Sequence, residues 1–371
     1  MSKPVFKARK IPNGFSCVES RWARLGPYYA MFPIDFAFDV ISHYSGEGDF
    51  VLDPFAGRGS GNFVAATLGR RTLGIEINPV AWLYGATKLS PAPKNDVINR
   101  LNDIVTSSTK YKEEQNSANL FFSMCFSGAV LRFLLAARNE LKWKTDKTDS
   151  TLMAIILHYL HGKRMSSLSN QMPMAKSTST QYSIKWWKNK SYENPPEIDV
   201  LAFLQKRIEW RYGKETIDFS DRGRVVLDDS TKALNDIYIN KIDLLFTSPP
   251  YYAITNYFSD QWLRLWLLGG AERPIALREE HKNRFNSMEA YENLLDIIFG
   301  KCANMLSPKG AVYVRTDYRK FTLETTKKVL KKHFPSHQMS ESVNLCRTKS
   351  QTEFLNNSKN KVREVDLVLT T

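Results

Sequence analysis

Residues 49–61 read Asp49-Phe-Val-Leu-Asp53-Pro-Phe-Ala-Gly57-Arg-Gly59-Ser-Gly61. Asp49 to Asp53 is a buried-strand run, ended by Pro54 and by three glycines in five positions. A helical pattern follows from Asn62 to Leu68, a second strand runs from Arg71 to Ile77, and Pro79 opens a second helix. Strand, glycine turn, helix and strand in this order make one βαβ unit. A glycine-rich turn at the carboxyl end of a strand lets a ligand approach the backbone closely. Glu76 closes the next strand, 17 residues past Gly59, where an acid can bind both hydroxyls of a ribose. The third glycine of a dinucleotide fingerprint would fall at position 62, which is Asn62, and Asp53-Pro54-Phe55 is not a dinucleotide feature. The pattern therefore argues against a nicotinamide dinucleotide. Taken alone, it also reads as a tight turn beside an exposed glutamate.

Outward from this unit, Phe36 to Tyr44 predicts a short helix upstream. Downstream the rhythm changes. Asn119 to Leu141, Thr151 to Leu160 and Glu197 to Arg211 predict helices, with a polar stretch at 163–192 between the last two. Strand and helix alternate again from Arg224-Val-Val-Leu-Asp228 onward. Strand Ile242 to Thr247 is followed by helix Tyr291 to Met305, which Ser307-Pro308-Lys309-Gly310 should stop. Strand Ala311 to Arg315, helix Leu323 to His333 and strand Val365 to Leu369 complete the pattern. The expected architecture is an α/β doubly wound sheet built from 1–90 and 220–371, interrupted by a largely helical, basic insertion at 91–219.

A second chemical motif ends the strand at 242–247: Ser248-Pro249-Pro250-Tyr251. Two prolines fix φ, offer no N–H donors and push the residues before them toward extended geometry. Such a stiff turn can aim backbone carbonyls and the Ser248 hydroxyl into a cleft, and acceptors held that way suit an amino group. Tyr251 adds a flat ring for stacking on a base.

Asp53-Pro54-Phe55-Ala56-Gly57-Arg58-Gly59 followed by Ser248-Pro249-Pro250-Tyr251, each at a predicted strand end, resembles the amino-group DNA methyltransferases. That family uses S-adenosylmethionine, yields S-adenosylhomocysteine, and modifies N4 of cytosine or N6 of adenine. The resemblance covers 24–90 and 220–371 and implies a Rossmann-like methyltransferase sheet with a reversed terminal strand. It implies that Asp53, Pro54, Phe55, Ala56, Gly57 and Gly59 cradle the methionine part of the cofactor and that Glu76 takes its ribose. An acid in Val225-Val-Leu-Asp228-Asp229-Ser-Thr would contact the adenine; Asp229 aligns best and Asp228 is a close rival. Tyr28 to Pro33 occupies the place of the family's N-terminal cofactor-side motif, and Lys349-Ser-Gln-Thr with Glu364-Val-Asp-Leu-Val-Leu resembles its C-terminal hairpin. Ser248, Pro249, Pro250 and Tyr251 would be the catalytic turn. Ser248 resembles the N4-cytosine members more than the N6-adenine ones, which commonly carry Asp or Asn there, so cytosine comes first and adenine second. The motif order resembles the class in which a target-recognition region lies between the two motifs, here 91–219. More remote readings are an RNA or tRNA guanine-N2 methyltransferase and a non-catalytic DNA-binding protein on the same fold.

The chain of 371 residues carries 52 Lys+Arg against 38 Asp+Glu, a net charge of +14, which points to a polyanionic partner; the resemblance implies double-stranded DNA and a cognate restriction endonuclease. Between His158 and Tyr192 stand six Lys/Arg and no acid, with Trp186 and Trp187 among them. Lys185, Lys188 and Lys190 with the two tryptophans are either a DNA contact or a solvated loop that the tryptophans anchor to the core. His158 and His161, at i and i+3, lack a nearby carboxylate or thiolate for metal binding, and DNA contact or plain surface is expected of them. The run Lys327, Lys328, Lys331, Lys332 reads as a solvated helix face. Four separated cysteines, without any C-x-x-C pair, fit a reducing cytoplasm and no Cys-rich zinc site; the resemblance implies a prokaryotic, nucleoid-associated enzyme that needs no metal. No cysteine follows a proline, as the nucleophile of C5-cytosine methyltransferases does, and Cys125 and Cys302 read as small core residues. Neither a membrane-spanning stretch nor a secretory signal is read from the sequence.

Overall fold

The structure is a computed structural model that describes residues 15–27, 32–215, 217–237, 241–252, 257–274, 287–344 and 364–371. Seven strands form one sheet: β1 Phe50–Asp53, β2 Arg71–Glu76, β3 Gly223–Leu227, β4 Ile242–Thr247, β5 Leu306–Asp317, β6 Gln338–Asn344 and β7 Glu364–Thr370. Their order is β3-β2-β1-β4-β5-β7-β6. The first five are mutually parallel, and β7 runs antiparallel between β5 and β6. This is the expected Rossmann-like methyltransferase sheet with its reversed terminal strand. The order reverses between β1 and β4, so the crevice for ligands opens at the carboxyl ends of these two strands.

Both faces of the sheet are covered, which explains why its parallel strands read as continuous apolar runs. Side chains alternate between the faces: Val51, Leu244 and Phe246 enter one core, Leu52 and Leu245 the other. Helices Ser230–Asp236, Met288–Met305 and Lys320–His333 cover the second face. The first is covered by helices Cys17–Ala23, Ile34–Tyr44, Ser60–Thr67 and Pro79–Leu89.

The intervening region holds helices Lys94–Ser107, Leu120–Cys125, Gly128–Glu140, Lys147–Tyr159, Thr180–Asn189 and Val200–Tyr212. Its apolar residues continue the core of the first face without a break, from Phe63 and Tyr84 to Leu134, Ile155 and Leu204. It returns to the place it left: the Phe219 N–H donates to the Leu89 carbonyl at 2.7 Å. Among the described residues no helix is long and apolar enough to cross a membrane.

Three sequence expectations are corrected, and one strand is added. The helix expected over Asn119 to Leu141 breaks after Cys125, where Ser127 takes extended geometry as N-cap of the next helix. Ser307 to Gly310 does not precede β5 but lies within it, accommodated by a register shift against β4 between Ile242 and Leu244. Strand β6 escaped the sequence reading because its polar composition, Gln-Met-Ser-Glu-Ser-Val-Asn, suits a sheet edge. His161 is fully buried and His158 half-buried, so neither is a plain surface residue. Lys349 and its neighbours, and Tyr28 to Met31, lie outside the described residues.

His158 Nδ1 accepts from the Gly26 N–H at 2.9 Å, so the ring is neutral. Its pKa is held well below the ordinary value, first by burial and then by Arg211, Arg264, Arg58 and Lys88. A base with a depressed folded pKa leaves stability unchanged above about pH 6.5 and removes it below, because only the unfolded chain then takes the proton. His158→Asn keeps an acceptor for Gly26 without the titration. Its stability relative to wild type should rise as pH falls from 7.5 to 5.5, by up to about 1.4 kcal/mol per pH unit below 6.5. Urea titrations at both pH values check this, and an offset that stays constant with pH contradicts it.

Candidate active site

The turn after β1 is held almost amide by amide. The Phe55 N–H donates to Asp53 Oδ1 (3.0 Å), Ala56 N–H to the Ile75 carbonyl (3.0 Å), Gly57 N–H to Glu76 Oε2 (2.8 Å) and Gly59 N–H to the Ala56 carbonyl (2.8 Å). Gly57 and Gly59 have φ of +52° and +68°, a region that side chains disfavour. A Cβ on Gly59 would lie 2.8 Å from the Gly85 backbone, so this glycine lets the turn pack on helix Pro79–Leu89. A Cβ on Gly57 would meet nothing within 4 Å, so its outer face is open. Asn62, where a dinucleotide fingerprint has glycine, is buried and donates to Thr72 Oγ1 at 2.8 Å.

Glu76 ends β2 with both oxygens engaged, Oε2 by Gly57 and Oε1 by the Asn78 N–H at 2.7 Å. Each oxygen keeps a further lone pair for a hydroxyl donor. Its carboxyl is pushed up to about 7, first by burial, against the two amide hydrogen bonds and with a small contribution from Asp53. Asp53 is 2% exposed and its carboxyl is also pushed up to about 7 by burial, against the pull of Thr247 and the Phe55 amide.

Thr247 is the last residue of β4, and its hydroxyl donates to Asp53 Oδ1 at 2.6 Å. This bond joins the glycine turn to the Ser248-Pro249-Pro250-Tyr251 turn that leaves β4. Ser248 is half-buried at the start of this turn. Tyr251, expected to offer an open stacking face, is 5% exposed, with its hydroxyl 3.5 Å from Glu364 Oε1 on β7. Glu364 pairs with Arg315 on β5 at 3.3 Å, and Arg315 grips Asp366 through two bonds of 2.7 and 2.8 Å while lying 3.6 Å from the Phe36 ring centroid. Arg319 bonds the Tyr252 carbonyl and the buried Asp317 carboxylate. The turn thus rests on a charged wall made by β5 and β7.

At the end of β3, Asp229 Oδ1 caps helix Ser230–Asp236 through the Thr231 amide and hydroxyl, at 3.0 and 2.8 Å. Asp228 is exposed. Ser230 Oγ donates to the Pro54 carbonyl, which brings this strand end beside the glycine turn. The expected cofactor residues Asp53, Pro54, Phe55, Ala56, Gly57, Gly59, Glu76 and Asp229 are therefore neighbours, with the Ser248 turn next to them.

Lys185, Lys188 and Lys190 stand elsewhere, exposed on and just after helix Thr180–Asn189. Trp187 is corrected: its ring is fully buried beside Phe121, and its indole N–H donates to the Gln171 carbonyl at 2.8 Å. It anchors the helix and offers nothing to DNA. Trp186 is half-buried against Tyr192. Sequence reasoning missed Thr247, Arg58, Lys88 and Glu364. For Lys88 a signal existed, a lone charge in the apolar helix Pro-Val-Ala-Trp-Leu-Tyr-Gly-Ala-Thr-Lys-Leu. Cys125 and Cys302 are buried core residues, as expected. Among the described residues no group of three or more His, Cys, Asp or Glu could hold a metal ion.

Residues 6–83 match the DNA methylase family of N6- and N4-modifying enzymes. The resemblance to amino-group DNA methyltransferases is therefore borne out over the segment that holds the glycine turn and Glu76. A relative, a type II methyltransferase, M.MthZI, of Methanothermobacter thermautotrophicus, is 34% identical over 76 residues, and the match spans only 20% of this chain and 20% of that protein. Among solved structures, TrmN from Thermus thermophilus is 10% identical with a TM-score of 0.35, covering 95% of this chain and 52% of that one. A putative rRNA-methylase from Clostridium thermocellum is 10% identical with a TM-score of 0.32, covering 90% and 95%. Likenesses that loose carry no argument; strand order and register define the fold.

Thr247→Val keeps the shape and removes the donor to a buried carboxylate. It should destabilise the protein by about 1–3 kcal/mol, most strongly above pH 7, where Asp53 is ionised and the bond is charge-assisted. Chemical denaturation at pH 8 checks this; a loss below about 0.5 kcal/mol would show that the bond contributes little.

Proposed function

We propose that this protein is an S-adenosylmethionine-dependent DNA methyltransferase acting on the exocyclic amino group of a base flipped out of duplex DNA. N4 of cytosine is the first assignment and N6 of adenine the alternative. The observation that carries the reading is the Asp53–Thr247 bond, which joins the glycine turn to the Ser248 turn at the switch point of the sheet. The family match over residues 6–83 supports the cofactor half.

Two features of the site support this cofactor. Gly57 leaves open space where a Cβ would stand, and Glu76 keeps lone pairs for two ribose hydroxyls. Asp53 to Gly59 would hold the methionine part, and Asp229, or the more exposed Asp228, the adenine. When bound, S-adenosylmethionine supplies an electrophilic methyl group. The chain's part is to make a poor nucleophile adequate. An exocyclic amine shares its lone pair with the ring, and hydrogen bonds from its two protons to Ser248 Oγ and the Pro249 carbonyl would localise that pair and aim it. Positioning and fixed dipoles then account for most of the rate. Tyr251, braced by Glu364, would form a wall of the base pocket. The region 91–219 would recognise the target, and Lys185, Lys188 and Lys190, with the edge of Trp186, would meet phosphates that offset the cost of flipping. A cognate restriction endonuclease is a partner in keeping with this role.

Mass spectrometry of nucleosides from plasmid incubated with the protein and S-adenosylmethionine tests the reading. N4-methylcytosine is expected, N6-methyladenine selects the alternative, and methylation confined to a tRNA substrate rejects both. Ser248→Ala should lower turnover by about 10²–10³ with little change in cofactor affinity. Full turnover in this variant would remove Ser248 from the mechanism. Replacing Lys185, Lys188 and Lys190 together by alanine should weaken DNA binding and flatten its salt dependence by up to about three units of slope. Equal slopes for variant and wild type would take this helix out of the interface.

A further inference from the structure

Arg58 sits between two glycines in left-handed geometry, so the peptide units around it can rotate with little steric resistance. The turn's amides are bonded on either side of Arg58, and the Arg58 peptide carbonyl is held separately. The Arg58 carbonyl points inward and accepts a 2.7 Å hydrogen bond from Lys88 Nζ, whose side chain is fully buried near the end of helix Pro79–Leu89. The Arg58 guanidinium, itself 6% exposed, reaches the other way, to the Leu25 and Gly26 carbonyls at 3.3 and 2.6 Å and to Ser60 Oγ at 3.2 Å.

We propose that Lys88 is a positioning residue for the methyl donor: by gripping the Arg58 carbonyl it freezes the glycine turn with the open face of Gly57 outward. The proposal rests on the cofactor reading given above. Burying an amine is costly, and a methionine of equal length would pack in the same channel without that cost. What methionine lacks is a donor for the carbonyl. Burial, Arg58 and Arg211 hold the Lys88 pKa well below its ordinary value, and the amine can donate to the carbonyl in either protonation state. Lys88 itself needs no contact with the ligand, and its effect runs through the shape of the turn.

Lys88→Met is the test, read by calorimetry with S-adenosylmethionine, by anisotropy with a mixed-sequence DNA duplex, and by transfer of a labelled methyl group to plasmid. The dissociation constant for S-adenosylmethionine should rise at least about tenfold, the equivalent of one lost hydrogen bond to a fixed acceptor. Duplex affinity and the methylation rate at saturating S-adenosylmethionine should stay at wild-type values. Unchanged S-adenosylmethionine affinity overturns the proposal. So does a parallel fall of both affinities with the melting temperature, which marks Lys88 as part of the general core. A wild-type protein that binds no S-adenosylmethionine fails the cofactor reading itself, a result separable because it involves no variant. Hydrogen exchange on the ligand-free wild type gives a measurement independent of any folding defect. The Gly57 and Gly59 amides should exchange as slowly as those of β1, and free exchange there overturns the preformed turn.

Discussion

A carboxylate inside a protein must be given hydrogen bonds or remain protonated, and Asp53 meets that constraint with a hydroxyl from another strand. Its Oδ1 takes the Thr247 hydroxyl and the Phe55 amide. Strand pairing sets β1 and β4 parallel and adjacent, but pairing alone leaves the chain free once the strands end. The shared oxygen carries the registration one residue further, to the point where both loops depart. The two motifs are 190 residues apart in sequence, from Gly57 to Thr247, yet they hold one geometry because a buried charge obliges them to. The same burial pushes Asp53 and Glu76 up to about 7, which leaves the site tunable near neutral pH.

The fold was legible because its parallel strands are covered on both faces and therefore appear as short apolar runs closed by glycine or proline. The exceptions have physical causes. Strand β6 lies at an edge and carries polar residues, and β5 absorbs Pro308 and Gly310 in a register shift that a turn reading cannot foresee. In the site, glycines and prolines announce themselves because backbone geometry needs them. The supporting groups do not. Thr247 looks like an ordinary β-branched strand residue. Glu364 and Arg315 meet only because β7 enters the sheet in reverse, and no local pattern records that meeting. Trp187 shows the opposite failure. A tryptophan among lysines suggests an exposed stacking surface, but its helix is amphipathic and this ring lies on the buried side.

Basic residues lie on the outside and also deep within. Arg58, Lys88, Arg211 and Arg264 are buried, and His158 half-buried, where the glycine turn, the N-terminal helix and the helical region converge. Their hydrogen bonds go largely to carbonyls: Arg211 to Arg21, Arg264 to Leu157 and Met174, Lys88 to Arg58. Long cationic side chains used this way act as pins between backbone segments. The segment Leu25–Gly26 is bonded both to Arg58 and to His158, so the turn and the helix Lys147–Tyr159 are fastened to the same piece of chain.

The helical region leaves the sheet after Leu89 and comes back at Phe219, and a single backbone bond joins these two points. Topologically that is a cassette: removing or exchanging everything between the two points would leave the strand order intact. Packing says otherwise, since its helices and those of the sheet share one apolar interior. Evolution could therefore splice such a segment in at one stroke, but afterwards each side would adapt its buried residues to the other. Surface changes on the outer helices remain free to alter what the protein meets. Wholesale exchange with a distant relative would create cavities and overpacked contacts along the common core, so this scaffold should change by drift across its outer face and seldom by transplantation.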